Sequence, residues 1–262
     1  MTHVNEYSTN IDEGISFLES TQPDWFKCHH LRAHNYWHLS LFYLENERHE
    51  DALGVLNEHI LAPDDLCNSA SFLLRLKFAG VSGPDLDEKW LKLKSDFISQ
   101  IEHHGYLYTD CHLAMVLSTV GTQEEKNTFF RTLKEFTTTT DQENEDEASS
   151  FEGHVNYSRF KNNYLQYINK ELAFDLFNSV FSYNSGEYDK VVESLYPIRY
   201  ELHKIGGSNA QTDIFSQMLI HSALQSSLPV HHKLGLALVN ERLSIRPNSN
   251  IIKRMVDKYL NE

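Results

Sequence analysis

Histidine, arginine and acidic side chains recur at helical spacings along this chain, and these side chains bind metals and anions or transfer protons in proteins. His34 and His38 are four residues apart, a spacing at which two imidazoles on one helical turn can share a metal ion. A zincin motif requires Glu directly after the first His, but Asn35 stands there, which disfavours metalloprotease chemistry. The pair therefore indicates a binding role, and no metal site is predicted.

Asp110 and His112 form a second polar group, which we predict to open a helix. A carboxylate there can cap backbone amides, and the imidazole can pack beside it. The alternative is a catalytic carboxylate and imidazole. The sequence shows no Ser, Cys or Thr in a nucleophile elbow, no phosphate-binding glycine loop and no dinucleotide fingerprint, so neither a catalytic residue nor a cofactor is predicted.

A third polar group surrounds the glycine pair Gly206-Gly207. Arg199 and His203 are four residues apart before the pair, and Gln211 and Asp213 follow it. Glycines followed by polar helix-start residues can expose amide groups to an anion, but the same pattern is typical of a helix C-cap followed by an N-cap. Structural capping is the favoured interpretation.

The composition limits the classes of partner. The 262 residues include 37 acidic and 23 basic ones, for a formal charge of -14, which argues against binding to nucleic acid. The three cysteines have no metal or disulfide spacing, no apolar run approaches the roughly 20 residues of a membrane span, and the amino terminus lacks a secretion signal. We expect a folded cytoplasmic protein without a membrane partner.

The positions of the apolar residues predict an all-α fold. They recur at steps of three and four with no sustained two-residue alternation, and only six prolines and eleven glycines interrupt them. The predicted helices span residues 12–20, 30–46, 49–61, 66–79, 87–103, 110–120, 123–138, 159–184, 187–204, 210–227, 230–245 and 249–261.

One stretch of the chain matches the tetratricopeptide pattern of two antiparallel helices. Its large, small and proline positions are filled by Tyr36, Leu39, Ser40, Tyr43, Ala52, Leu56 and Pro63. The segment 219–247 repeats the pattern, with Ala223, Leu236, Val239 and Pro247 in the small, large, large and terminal proline positions. We therefore predict a single domain over residues 1–262, a tetratricopeptide-like α-solenoid of stacked antiparallel helix pairs. An acidic surface loop at about 137–152 interrupts it, either as a solvated linker or as a docking arm.

Three sequence segments resemble segments of the tetratricopeptide repeat protein 38 family and occur in the same order. They are AHNYWHLSLFYL from Ala33 followed by Asp51-Ala52-Leu53, DCHLAM from Asp110, and IRYELHKIGGSNAQTDIF from Ile198. The resemblance implies a helical-repeat fold and assigns no reaction. It begins at about Glu13, so the chain resembles the carboxy-terminal part of that family, which carries a further helical region before this point.

The resemblance also shows two departures. Tyr36 stands where Trp is common, which adds a hydroxyl group, and Asn209 stands where His is common, which removes one candidate ligand or base.

A solenoid brings equivalent positions of successive helix pairs to one concave surface. We therefore predict a binding groove, formed by His34, Asn35, Trp37, His38, Arg75, Asp110, His112, Arg199, His203, Gln211 and Asp213. Trp37 is the member most expected to pack inward. The favoured hypothesis is a non-catalytic scaffold that binds an extended peptide or a partner protein, with Arg75 and Arg199 holding a carboxylate.

Two alternatives stay open. The same residues could line a deep pocket of an enzyme or of a protein that binds a small molecule or metal, with imidazole as base and arginine as anion holder. The chain could also associate with itself through its amino-terminal helices, at an apolar face formed by Ile11, Ile15 and Phe17-Leu18. A deep pocket would favour the first alternative, and an open channel would favour the scaffold.

Overall fold

A computed structural model describes residues 10–61, 65–138 and 167–261, together with positions 2 and 5. These residues form helices, turns and loops, without a β-strand among them. The α-helices, in chain order, are α1 (Ile11–Ser20), α2 (Gln22–Trp25), α3 (His29–Glu45), α4 (His49–Val55), α5 (Leu66–Phe78), α6 (Pro84–Phe97), α7 (Leu107–Val120), α8 (Gln123–Thr138), α9 (Phe174–Asn184), α10 (Tyr188–Ile198), α11 (Asn209–Gln225), α12 (Pro229–Ile245) and α13 (Asn250–Asn261). Short π-helical turns at Leu56–Ile60 and Asn169–Ala173 and 3₁₀ turns at Ile98–Gln100 and Leu202–Ile205 join these helices.

The predicted all-α composition is confirmed, and most helix ends lie within three residues of their predicted positions. The short helix α2 was missed, and α7 begins three residues earlier than predicted, after Tyr106 as N-cap. The prediction that Asp110 opens that helix is therefore wrong. Pro63 and most of the predicted acidic loop lie outside the described residues.

Helices that follow one another in sequence pack together, for example α3 with α4, α9 with α10, and α11 with α12. Three helices, α5, α7 and α11, lie in the interior. Residues 110–117 of α7 are all buried, and α5 is buried from Asn68 to Phe78 except at Lys77. A helix that is covered on most sides belongs to the core, so most polar side chains of α5 and α7 are interior groups, while α11 also has an exposed face at Ser216.

Contacts between helices far apart in sequence bring the two ends of the described chain together. Helix α5 packs on α11, and α3 packs on α13. Glu45, the last residue of α3, caps the first turn of α13: its carboxylate accepts hydrogen bonds from the Asn250 amide at 2.9 Å and the Ser249 hydroxyl at 3.0 Å. A carboxylate is favoured at a helix amino terminus because unpaired amides concentrate positive charge there.

Close helix contacts depend on small residues. Gly14 of α1 faces the ring of Phe42 on α3, and Gly235 of α12 lies against Ala223 and Leu224 of α11. The predicted self-association face is partly covered by these contacts, because Ile15 is buried where α1 packs on α3.

The repeated pattern at 219–247 is correct in part. Ala223 and Val239 are buried as predicted, but Leu236 is 39% exposed. Leu238 is buried on the same helix instead, because it lies on the face of α12 that turns toward α11. Among the described residues, no helix combines the length and the apolar character needed to cross a membrane.

We predict opposite effects for two glycine-to-alanine substitutions. A Cβ at residue 14 would lie 2.6 Å from Phe42 Cε1, so the buried ring would have to shift. Gly14→Ala should therefore lower the free energy of unfolding by about 1–3 kcal/mol. Gly54, in α4, has no atom near its missing Cβ, so Gly54→Ala should raise it by up to about 1 kcal/mol. Urea denaturation measures both changes, and equal signs would contradict the packing described here.

Candidate functional site

A cleft of about 340 Å³ lies between α11, α12 and the segment 199–203. Each helix contributes one face, since its cleft residues recur at steps of three and four. These residues are Asn209, Thr212, Asp213, Ser216, Leu219 and Ile220 on α11, and Leu238, Glu241, Arg242, Ile245 and Arg246 on and just after α12. The cleft volume is within the range of small-ligand sites.

The ion pair between Asp213 and Arg242 connects α11 to α12 beside the cleft. Arg242 Nη1 donates to Asp213 Oδ1 at 2.5 Å and Nη2 donates to Oδ2 at 2.8 Å, while Arg246 Nη1 lies 3.5 Å from Oδ2. Gln217 Nε2 also donates to Oδ2 at 2.7 Å. Burial alone would raise the pKa of Asp213, but Arg242 and Arg246 outweigh it and hold this pKa well below its usual range.

Arg199 is held on the opposite side of the cleft by two tyrosine rings. Its guanidinium carbon lies 3.8 Å from the ring centre of Tyr196 and 4.0 Å from that of Tyr200. Its Nη1 donates to the Tyr196 carbonyl at 2.7 Å, and its Nε is covered without a hydrogen-bond partner. Stacking of this kind fixes the plane of a guanidinium group without neutralising its charge.

His203 lies beside Arg199 at the cleft, one turn further along the chain. Its Nδ1 donates a hydrogen bond to the Tyr200 carbonyl at 2.9 Å, so Nδ1 carries a proton. The Thr212 hydroxyl donates to the Ser208 carbonyl at 3.2 Å. Among the described residues that line the cleft, no hydrogen bond joins an imidazole to a hydroxyl.

Other predicted site residues meet in the interior, at the junction of α3, α5 and α11. His38 Nε2 and His34 Nε2 are 3.1 Å apart, and His34 Nδ1 is 3.4 Å from the Asn68 amide. Gln211 Nε2 donates to Asn68 Oδ1 at 2.9 Å. The two imidazoles are thus engaged in a hydrogen-bond network, and the described residues contain no group of three or more His, Cys, Asp or Glu placed to hold a metal ion.

The start of α11 confirms the capping interpretation of the Gly206-Gly207 segment. The Ser208 amide donates to Gln211 Oε1 at 2.8 Å and the Gln211 amide donates to Ser208 Oγ, which is a capping box. Gly207 has a φ of +80°, and a Cβ there would lie 2.7 Å from the Tyr108 ring. The glycine is therefore needed both for its backbone conformation and for its close approach to Tyr108.

Arg75 is buried between the interior network and the cleft. It is 2% exposed, donates to the Ala210 carbonyl at 2.8 Å and to the Ser71 side chain, and lies over the Trp37 ring at 5.5 Å. A second cavity of about 30 Å³ next to it is lined by Glu45, Gln217 and Arg246 as well. Trp37 is fully buried, as expected.

His112 and Asp110 lie on α7, away from the cleft. His112 Nδ1 donates to the Tyr108 carbonyl at 2.6 Å, and burial lowers the pKa of His112 to about 4. Asp110 lies 3.4 Å from His104 Nδ1, and His104 Nε2 is 2.8 Å from the Thr132 hydroxyl. His104, in the segment before α7, thereby links α7 to α8, and these groups are too deeply buried to line an open groove.

No protein-family model matches the chain, and no solved structure matches it significantly.

The structure divides the predicted site residues into three places. Arg199, His203 and Asp213 line the cleft. The interior network and its neighbours include His34, Trp37, His38, Arg75 and Gln211, and Asn35 adjoins His34 in sequence. Asp110 and His112 form a third group on α7. Sequence reasoning missed Arg242 and Arg246, although both lie four residues from another cleft residue of α12 and alternate with apolar Leu238 and Ile245 on one face. That spacing is the sequence feature that could have identified the two arginines as cleft residues.

Substitution of Asp213 should destabilise the fold. Asp213→Asn removes the buried carboxylate that accepts two hydrogen bonds from Arg242, so we expect the free energy of unfolding to fall by about 3–5 kcal/mol. The control is Glu135→Gln, which breaks the exposed pair with Arg131 at 3.0 Å and should cost less than about 1 kcal/mol. Urea denaturation at pH 7 measures both, and equal losses would contradict a structural role for the Asp213 pair.

His112 should make the fold sensitive to mild acid. Its pKa is about 4 in the folded state, against 6.5 for an unperturbed imidazole, so the unfolded chain binds the proton more readily between these values. The stability contributed by neutral His112 is present above pH 6.5 and is lost as the pH falls toward 4. His112→Asn should reduce the slope of unfolding free energy against pH by up to about 1.4 kcal/mol per pH unit in this window. Identical slopes in both proteins would count against it.

Proposed function

We propose that the chain is a non-catalytic binding protein whose cleft between α11, α12 and residues 199–203 takes a small anionic ligand. The observation that carries the proposal is the stacked guanidinium of Arg199, which faces the cleft and makes no ion pair among the described residues. A fixed cation beside a partly apolar cavity is the arrangement by which binding sites orient an anionic ligand.

The shape of the cleft supports a compact ligand over an extended one. The residues predicted to line a long groove include Arg75, Asp110 and His112, and these are buried under other helices. Only Arg199, His203 and Asp213 of that set face the cleft. A protein partner is the second candidate, because the rim residues Tyr200 and Ile245 are 62% and 49% exposed and present apolar surface around the opening.

The architecture proposed for this function is a tetratricopeptide-like solenoid related to the tetratricopeptide repeat protein 38 family. Its support is the packing of sequential helices and the tetratricopeptide-like spacing between Tyr36 and Leu56. In this proposal the interior network of His34, His38 and Asn68 fixes the stacking of the inner helices, and the cleft is the ligand site.

The test is thermal unfolding of the wild-type chain with a panel of small anions, cations, neutral metabolites and peptides. A ligand at about 100 times its dissociation constant stabilises the folded state by roughly 2.7 kcal/mol. Ser216→Trp places an indole in the cleft from an exposed position on α11, and it should remove the stabilisation by any cleft ligand. Ser95→Trp, at an exposed position on α6, is the matched control and should retain it.

Stabilisation by small anions that Ser216→Trp removes would support the proposal. Stabilisation by peptides alone, with the same sensitivity, would transfer the cleft to the protein-partner candidate. The proposal fails if no compound stabilises the wild-type chain, or if Ser216→Trp and Ser95→Trp respond alike to every compound.

A further inference from the structure

We infer that the ligand of the cleft is a monocarboxylic acid with an apolar body, and that Arg199 binds its carboxylate. The inference rests on the proposed function, since it names the class of ligand for the same cleft. Three features of the cleft support it: the charge balance of its lining, the fixed position of Arg199 and the apolar wall between α11 and α12.

The charges that line the cleft leave room for one negative charge. Three guanidinium groups, those of Arg199, Arg242 and Arg246, share the lining with two carboxylates, those of Asp213 and Glu241. Arg75 and Glu45 line the neighbouring small cavity and not this cleft. Arg242 and Arg246 both lie on Asp213, so the single charge of Arg199 is the one offered to a ligand. One guanidinium matches a carboxylate, whereas a phosphate monoester carries about 1.5 to 2 negative charges near pH 7.

An anion is drawn to Arg199 because Arg242 and Arg246 already lie on Asp213. Both oxygens of Asp213 accept hydrogen bonds from Arg242, and Arg246 lies close by. Glu241 accepts a hydrogen bond from the Tyr200 hydroxyl at 3.3 Å. Arg199 has no carboxylate partner within the described chain, so a bound anion is drawn to this side of the cleft.

The donors that Arg199 can offer are set by its contacts. One terminal nitrogen already donates to the Tyr196 carbonyl, and Nε is covered. The remaining N–H groups of the two terminal nitrogens form the end of a planar fork that fits the two oxygens of a carboxylate. The rings of Tyr196 and Tyr200 hold the guanidinium in place, so little side-chain entropy is lost when the anion binds.

The wall that faces the body of the ligand is apolar. Leu219 and Ile220 of α11 and Leu238 of α12 are buried side chains that line the cleft, and Leu202 joins them from the 3₁₀ turn. Burying a methylene group against such a wall contributes roughly 0.8 kcal/mol. A ligand with an anionic end and an aliphatic or aromatic body satisfies both parts of the cleft at once.

The experiment compares three eight-carbon probes, octanoate, octanamide and octyl phosphate, by isothermal titration below their micelle-forming concentrations. Octanoate should bind about tenfold or more tightly than octanamide, because a charge-assisted hydrogen bond is stronger than a neutral one. Octyl phosphate should bind more weakly than octanoate. Arg199→Met keeps a stem of similar length and should remove the preference for octanoate over octanamide.

The matched control is Arg131→Met, at an exposed arginine of α8 outside the cleft, which should leave all three affinities unchanged. Equal binding of octanoate and octanamide by the wild-type chain, blocked by Ser216→Trp, would overturn the carboxylate inference and leave the cleft as a binding site. A preference for octanoate that survives in Arg199→Met would overturn the role of Arg199. Tighter binding of octyl phosphate would assign the cleft to phosphate ligands, and no binding of any probe would overturn the class of ligand.

Discussion

The buried ion pair between Asp213 and Arg242 is the constraint on which the carboxy-terminal half of the structure depends. It fixes the separation and rotation of α11 relative to α12, and thereby the width of the cleft. A buried carboxylate is stable only when cations and hydrogen-bond donors surround it, and Arg246 and Gln217 complete that shell. Because Asp213 also lines the small cavity beside Arg75, the same pair separates the cleft from the interior network.

The interior network and the cleft illustrate two uses of similar residues. Hydrogen bonds join His34 to His38 and to Asn68, and Asn68 accepts one from Gln211, so these polar groups influence how the inner helices stack. Arg199 differs from this network. Two aromatic rings fix its position, but no carboxylate of the described chain pairs with its charge. The first arrangement is typical of a core whose helices pack in one register, and the second is typical of sites that bind anions.

The fold could be predicted from sequence further than the site could. Helices with three- and four-residue apolar periodicity, such as α11 and α12, were found to within about two residues, and the Ser208–Gln211 capping box follows from local spacing. The hydrogen bond between Asn68 and Gln211 joins residues 143 positions apart, and nothing local specifies it. The cleft could be predicted only in part. Arg199 and Asp213 lie in a recognisable sequence motif, whereas Arg242 lies in a helix without such a motif.

The capping of α13 by Glu45 has a consequence for how the chain folds. This contact closes a loop of more than 200 residues, since Glu45 and Ser249 are 204 positions apart. Helix pairs such as α9 with α10 form from local contacts and need no such closure, so they can form early. Among the contacts of the described residues, those between α3 and α13 close a very long loop, and they become favourable only when the intervening helices are in place. The last event in folding is therefore expected to be the meeting of the two ends.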